Sequence, residues 1–114
     1  MDFEKEQYKL WNREAALSRL MGNEELLQRV ASIFVNSAPD KINLLEEAIV
    51  RHDQDAVRLL SHTLKGSAGE IGLERLWASV AQLETLASSA QVDEWYKQFQ
   101  LVKEDFMCSM EILR

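Results

Sequence analysis

Cysteine, proline and glycine are all scarce in this chain of 114 residues, which holds one, one and four of them respectively. A single cysteine, Cys108, excludes an internal disulfide and a four-cysteine zinc site. It stands in "DFMCSMEIL", an apolar helical pattern, so a buried, inert thiol is expected there. So few prolines and glycines exclude collagen-like and low-complexity classes, and no repeat of solenoid length is visible. Long apolar runs are missing too. "IFV" at 33–35, even extended by Ala31 and Ser32, falls far short of the ~20 residues of a membrane span. The start, "MDFEKEQYKL", is charged and acidic, the wrong chemistry for a secretory signal. Positive charge is in deficit: the formal net charge is -6 and there is no Lys/Arg run. That balance argues against nucleic acid, which needs a basic footprint, and against direct contact with an anionic membrane. A reducing, cytoplasmic setting is expected.

What remains is an ordinary globular composition, 46% hydrophobic, sized for one domain over residues 1–114 with one modest core. Almost all of it reads as helix. Asn12 suits the N-cap of a first helix carrying Ala16, Leu17 and Leu20, which Gly22 stops. Asn23 caps a second, with Glu24 and Glu25 placed well for the helix dipole and Leu26, Leu27, Val30, Ile33 and Phe34 as its apolar face. "NSAPD" reads as a break, with Pro39 in the first position of a third helix carrying Ile42, Leu45 and Ile49. Asp53 caps the fourth, whose apolar spacing is Ala56, Leu59, Leu60, Thr63, Leu64, Ser67, Ala68 and Ile71. Gly72 ends it. A fifth shows Leu73, Leu76, Trp77, Val80, Leu83 and Ala87. Asp93 caps a sixth with Trp95, Phe99, Val102, Phe106, Met110 and Leu113.

No period-two alternation and no Asn-Gly or Asp-Gly hairpin turn occurs. Short links between amphipathic helices put neighbours antiparallel. The expectation is an all-α fold: an antiparallel up-and-down four-helix bundle over about 39–113, with one or two further N-terminal helices over about 12–36 covering an end or side. Tyr8, Trp11 and Phe3 either dock the N-terminal tail or are vestiges of a linker from a preceding domain.

The stretch "SHTLKGSAGEIG" at 61–72 holds three of the four glycines beside His62. Each glycine inside a helix costs about 1 kcal/mol relative to alanine. Unrolled at ~100° per residue, the fourth helix places Leu60, Leu64, Ser67 and Ile71 roughly 140° to 200° from His62, so the histidine points to solvent. Gly66, Gly69, Asp55 and Arg58 lie within about 40° of it, with Lys65 about 60° to one side and Leu59 about 60° to the other. Glycines at those positions clear a face, and a transfer reaction needs its reacting atoms within about 3 to 3.5 Å. Lys65 supplies an ammonium one turn on, able to neutralise a compact anion carried by the imidazole. The order of lysine and glycines, with no preceding strand, excludes both the P-loop and the dinucleotide fingerprint.

"SHTLKGSAGEIG" resembles the signature of histidine-containing phosphotransfer (HPt) domains, H-x-[LI]-K-G-[SA] with a further glycine six positions on. His62, Leu64, Lys65, Gly66, Ser67 and Gly72 fit it. The likeness runs from Asp40 to Leu86, includes "LWASVAQLETLA", and is greatest to the C-terminal HPt modules of bacterial hybrid sensor kinases. It implies that His62 takes a phosphoryl group from a receiver-domain aspartate and passes it to a response-regulator aspartate in a phosphorelay. Lys65 would assist electrostatically, Gly66 and Gly69 would permit approach, and Ser67 and Gly72 would support the motif. Glu84, 22 residues after the histidine, matches the position from which family members orient the imidazole. The chain would need no cofactor or metal of its own; magnesium would belong to the partner receiver. It would be a carrier and not an autonomous enzyme, acting as a monomer or as part of a larger kinase whose membrane anchor lies elsewhere.

Two readings from other classes compete. A helical adaptor would keep the docking face and dock receiver or kinase domains without being phosphorylated. A metal site would use His62, His52 and carboxylates, but an H-E-x-x-H pair is absent. His52 has no lysine at the third following position and no flanking glycines, and is expected at a helix C-terminus.

Overall fold

The computed structural model describes residues 7–114. Its helices are α1 (Arg13–Arg19), α2 (Glu24–Val50), α3 (Gln54–Glu70), α4 (Glu74–Leu86) and α5 (Val92–Leu113). Helices α2 to α5 form the bundle. α3 packs between α2 and α4, and α5 closes the ring against α4 and α2. The expected caps on the first three are present: Asn12 accepts from the Ala15 amide at 3.1 Å, Asn23 from Leu26 at 3.0 Å and Asp53 from Ala56 at 3.2 Å. Each satisfies an amide that the helix itself leaves unpaired.

One break is not there. The second and third expected helices are a single helix, α2, with Pro39 inside it. The bundle therefore begins at Glu24 and not near 39, and α1 is what covers its end. Proline has no N–H for the Val35 carbonyl and its ring crowds that carbonyl, at a cost of ~3 kcal/mol. Yet Phe34, Ala38, Ile42 and Leu45 are all buried, in helical phase across the proline. Burying a side chain of leucine or phenylalanine size stabilises by ~1.5–3 kcal/mol. Keeping that stripe unbroken outweighs one lost hydrogen bond.

The core gathers Leu45 and Ile49 from α2, Val57, Leu64 and Ala68 from α3, Leu76, Val80 and Leu83 from α4, and Trp95, Phe99 and Val102 from α5. Five further expectations are corrected, the first being Leu26 and Ile33 on α2, which are exposed. On α3 the buried stripe is Val57, Ser61, Leu64 and Ala68, which leaves Leu59 about 200° from the residues two positions either side of it, and 66% exposed. Thr63 is exposed as well, and Ser67 is half-buried. Trp77 is an exposed residue of α4, not a core one. α5 starts two residues early, with Gln91 at its cap and Asp93 in its first turn, where a carboxylate still favours the dipole. Cys108 is exposed, because Asp105, Ser109 and Met110 take the buried positions around it. No helix among the described residues is long and apolar enough to cross a membrane.

Candidate functional site

The turn between α3 and α4 sets the geometry of the site. Gly72 follows the last turn of α3 with φ +82°, a conformation that favours glycine. The Leu73 amide returns to the Ala68 carbonyl at 3.0 Å, and α4 starts immediately after. α3 and α4 consequently run antiparallel with Leu73 as the point of reflection. Two pairs show the register. His62 and Glu84 stand eleven residues either side of Leu73 and their side chains meet. Gly69 and Trp77 stand four residues either side, and the indole lies over the glycine.

His62 is exposed, with 66% of its side chain open to solvent. Its Nδ1 lies 2.9 Å from Glu84 Oε2, while Lys65 Nζ lies 2.6 Å from Glu84 Oε1. One carboxylate thus joins the two cationic or potentially cationic groups of the motif. The hydrogen bond from Lys65 holds the Glu84 carboxyl below its ordinary range; burial opposes this, and His62 adds to the lowering. An ionised carboxylate only accepts, so His62 Nδ1 carries the proton and donates it. The other ring nitrogen, Nε2, is then left with its lone pair free on an exposed ring.

The glycines divide. Gly66, one turn beyond His62, faces open space, with nothing within 4 Å of where a Cβ would stand. A Cβ on Gly69 would stand 3.2 Å from Trp77 Cδ1, so its clearance is already filled by that indole. At Gly72 a Cβ would come within 2.4 Å of the Asn12 carbonyl oxygen. Ser67 donates to the Thr63 carbonyl at 3.3 Å within α3. His52 lies between α2 and α3 with φ +56°, ten residues before His62, and Arg58 pairs with Asp55 at 3.4 Å.

An N-terminal strap, residues 8–12, grips the same turn. The Asn12 amide donates to the Gly72 carbonyl at 2.7 Å and the Trp11 indole to the Ile71 carbonyl at 2.8 Å. Glu74 accepts from the Lys9 amide at 3.0 Å and from the Asn12 side chain at 2.8 Å, bonds that hold its carboxyl below the ordinary range, Asn12 contributing most. The Arg75 amide and Nε reach the Lys9 and Tyr8 carbonyls, both at 3.2 Å. Arg19 caps the end of α3 through the Gly69 and Glu70 carbonyls. Tyr8 and Trp11 do dock the tail, as the sequence suggests; Phe3 lies outside the described residues. The rung of Gly69, Trp77 and Tyr8, with the two rings tilted at 52°, is visible only in the structure. Reflecting α4 onto α3 through Leu73 finds its first two members.

Residues 29–107, well over half of the chain, match the family described as the Hpt domain. No curated protein and no solved structure matches the chain. Hpt domains are helical phosphocarriers, not catalysts, and interact with receiver domains of two-component systems. The helical bundle and the matched segment, which carries the exposed His62 and its Lys65–Glu84 partners, lead to one conclusion: the chain belongs to the Hpt domain family, with a phosphotransfer role in two-component signalling.

Proposed function

We propose that His62 is the phosphorylated residue, receiving the phosphoryl group from a receiver aspartate and donating it to a response-regulator aspartate. The observation that carries this is the Nδ1 bond to Glu84, which leaves Nε2 available on an exposed ring beside the open Gly66. The lone pair of Nε2 attacks the phosphorus of the aspartyl phosphate. A P–N bond forms, the P–O bond to the aspartate breaks, and that carboxylate leaves with the electron pair. The imidazole, still holding its Nδ1 proton, becomes cationic and is balanced by Glu84. In the onward step the second aspartate attacks phosphorus and the P–N electrons return to Nε2, so no proton need move in either direction. Glu84 is thus a positioning residue, fixing the tautomer and ring orientation. Lys65, one turn from His62, is the cation that serves the phosphoryl oxygens. The magnesium that neutralises charge on the aspartate side belongs to the receiver. Incubating the chain with a phosphorylated receiver tests the reading. Wild type should gain an acid-labile, base-stable phosphate that His62→Gln does not. Binding without transfer would favour the adaptor reading, and equal labelling of the variant would place the phosphate elsewhere.

A further inference from the structure

The three tryptophans differ in how their indole N–H groups are used. Trp11 donates to the Ile71 carbonyl, and Trp95 to the carbonyls of Leu86 and Ser89. The Trp77 N–H has no hydrogen-bond partner among the described residues, and the residue is 39% exposed. Its position is fixed from two sides. Gly69 lets the ring settle against α3, and the Tyr8 ring stands 6.4 Å away at 52°. Tyr8 in turn is held by a strap whose backbone is bonded to Glu74 and Arg75, so no loop needs ordering for this surface to be presented.

The rung lies on the face of His62. Gly69 is seven residues further along α3, two turns or about 10 Å away and rotated by only about 20°. A specific interface covers ~800 Å² on each partner, a patch roughly 30 Å across. A receiver centred on His62 Nε2 therefore reaches Gly69 and the Trp77 ring lying over it, with Tyr8 beside that ring at the edge of the footprint. Between them, Gln7, Arg19 and Glu74 complete a shallow groove of about 370 Å³ able to admit a partner side chain. Aromatic residues with one unsatisfied donor and a rigid seat are the type that dominates binding energy at interfaces.

We propose that Trp77 and Tyr8 form a receiver-contacting aromatic pair, through which the N-terminal strap helps to determine which receivers the chain serves. This rests on the transfer role of His62, and the test separates the two. In a proton–nitrogen spectrum of the isotopically labelled wild-type chain, the indole resonance of Trp77 should shift on addition of an unphosphorylated receiver, while that of buried Trp95 stays. Tyr8→Ala and Trp77→Phe should each lower kcat/KM for transfer from the phosphorylated receiver about tenfold, the loss lying in KM. An unmoved Trp77 resonance with a receiver that transfers at full rate would overturn the proposal, and this needs no variant. So would a Trp77 shift driven by the chain's own concentration without receiver, which would mean that a second copy covers the pair. If wild type takes label at His62 from neither a phosphorylated receiver nor phosphoramidate, a small donor that needs no docking, the transfer role itself fails.

Discussion

Gly66→Ala separates what the fold wants from what the proposed transfer needs. Position 66 is an exposed interior position of α3, and the added methyl would meet nothing within 4 Å. No clash offsets the gain in helix propensity, about 0.8–1 kcal/mol for glycine to alanine. For a chain of this length that raises the melting temperature by about 3 °C, readable by circular dichroism. The same methyl stands one turn from His62, and in the proposed transfer it would crowd the aspartyl phosphate that has to close to 3–3.5 Å. Holding the reacting atoms even ~1 Å apart from that distance costs on the order of 100-fold in rate. The variant should therefore be more stable and transfer slowly, measured as the single-turnover rate from a phosphorylated receiver. A more stable variant that transfers at the wild-type rate would refute the clearance argument. A destabilised one would refute the reading of position 66 as open.

Gly72→Ala should behave oppositely: its φ of +82° and the Asn12 oxygen 2.4 Å from the new Cβ predict a loss of ~2–4 kcal/mol, seen as a lower urea midpoint. Pro39→Ala restores the amide for Val35 within a helix that already runs through, and should stabilise by ~1–3 kcal/mol after the more flexible unfolded chain is allowed for; an unchanged urea midpoint would contradict this. Glu84 has a folded-state pKa lowered below 4.5, so its contribution is present above that value and is lost as pH falls through the lower folded one. The stability gap between wild type and Glu84→Gln should accordingly be constant near neutrality and close on acidification. A gap that persists unchanged to pH 3 would mean that the Lys65 and His62 bonds contribute nothing through charge.

Local chemistry was legible where one residue decides one event. Asn12, Asn23 and Asp53 cap helices because their side chains reach their own third following amide, whatever the rest of the chain does. The same holds for Gly72, whose positive φ closes α3. Pro39 misled because its local penalty is real but smaller than the burial it interrupts, and the in-phase Phe34, Ala38 and Ile42 were the better guide. Leu59 and Cys108 misled because their residue types suggest burial, whereas a helix face is chosen by its neighbours. At the site, His62, Lys65 and Gly66 are contiguous in one motif, whereas Glu84 is indicated only by the resemblance to the family, since nothing local in the sequence ties α4 to His62. Trp77, Tyr8 and Arg19 were not read as part of it, since their relation to Gly69 exists only once the α3–α4 register and the path of the strap are known.

That register also governs which length changes the chain tolerates. The α3–α4 turn has no slack: Gly72 and Leu73 are buried, and the strap is bonded across them. One residue inserted there would displace Glu84 by about 100° around α4 relative to His62, and Trp77 relative to Gly69. Both pairs would be lost to a change that touches neither. The link between α4 and α5 is different, since Ser88, Ser89, Ala90 and Gln91 are all exposed. Among functional variants of this chain, insertions and deletions should accumulate at 88–91 and be absent from 71–73.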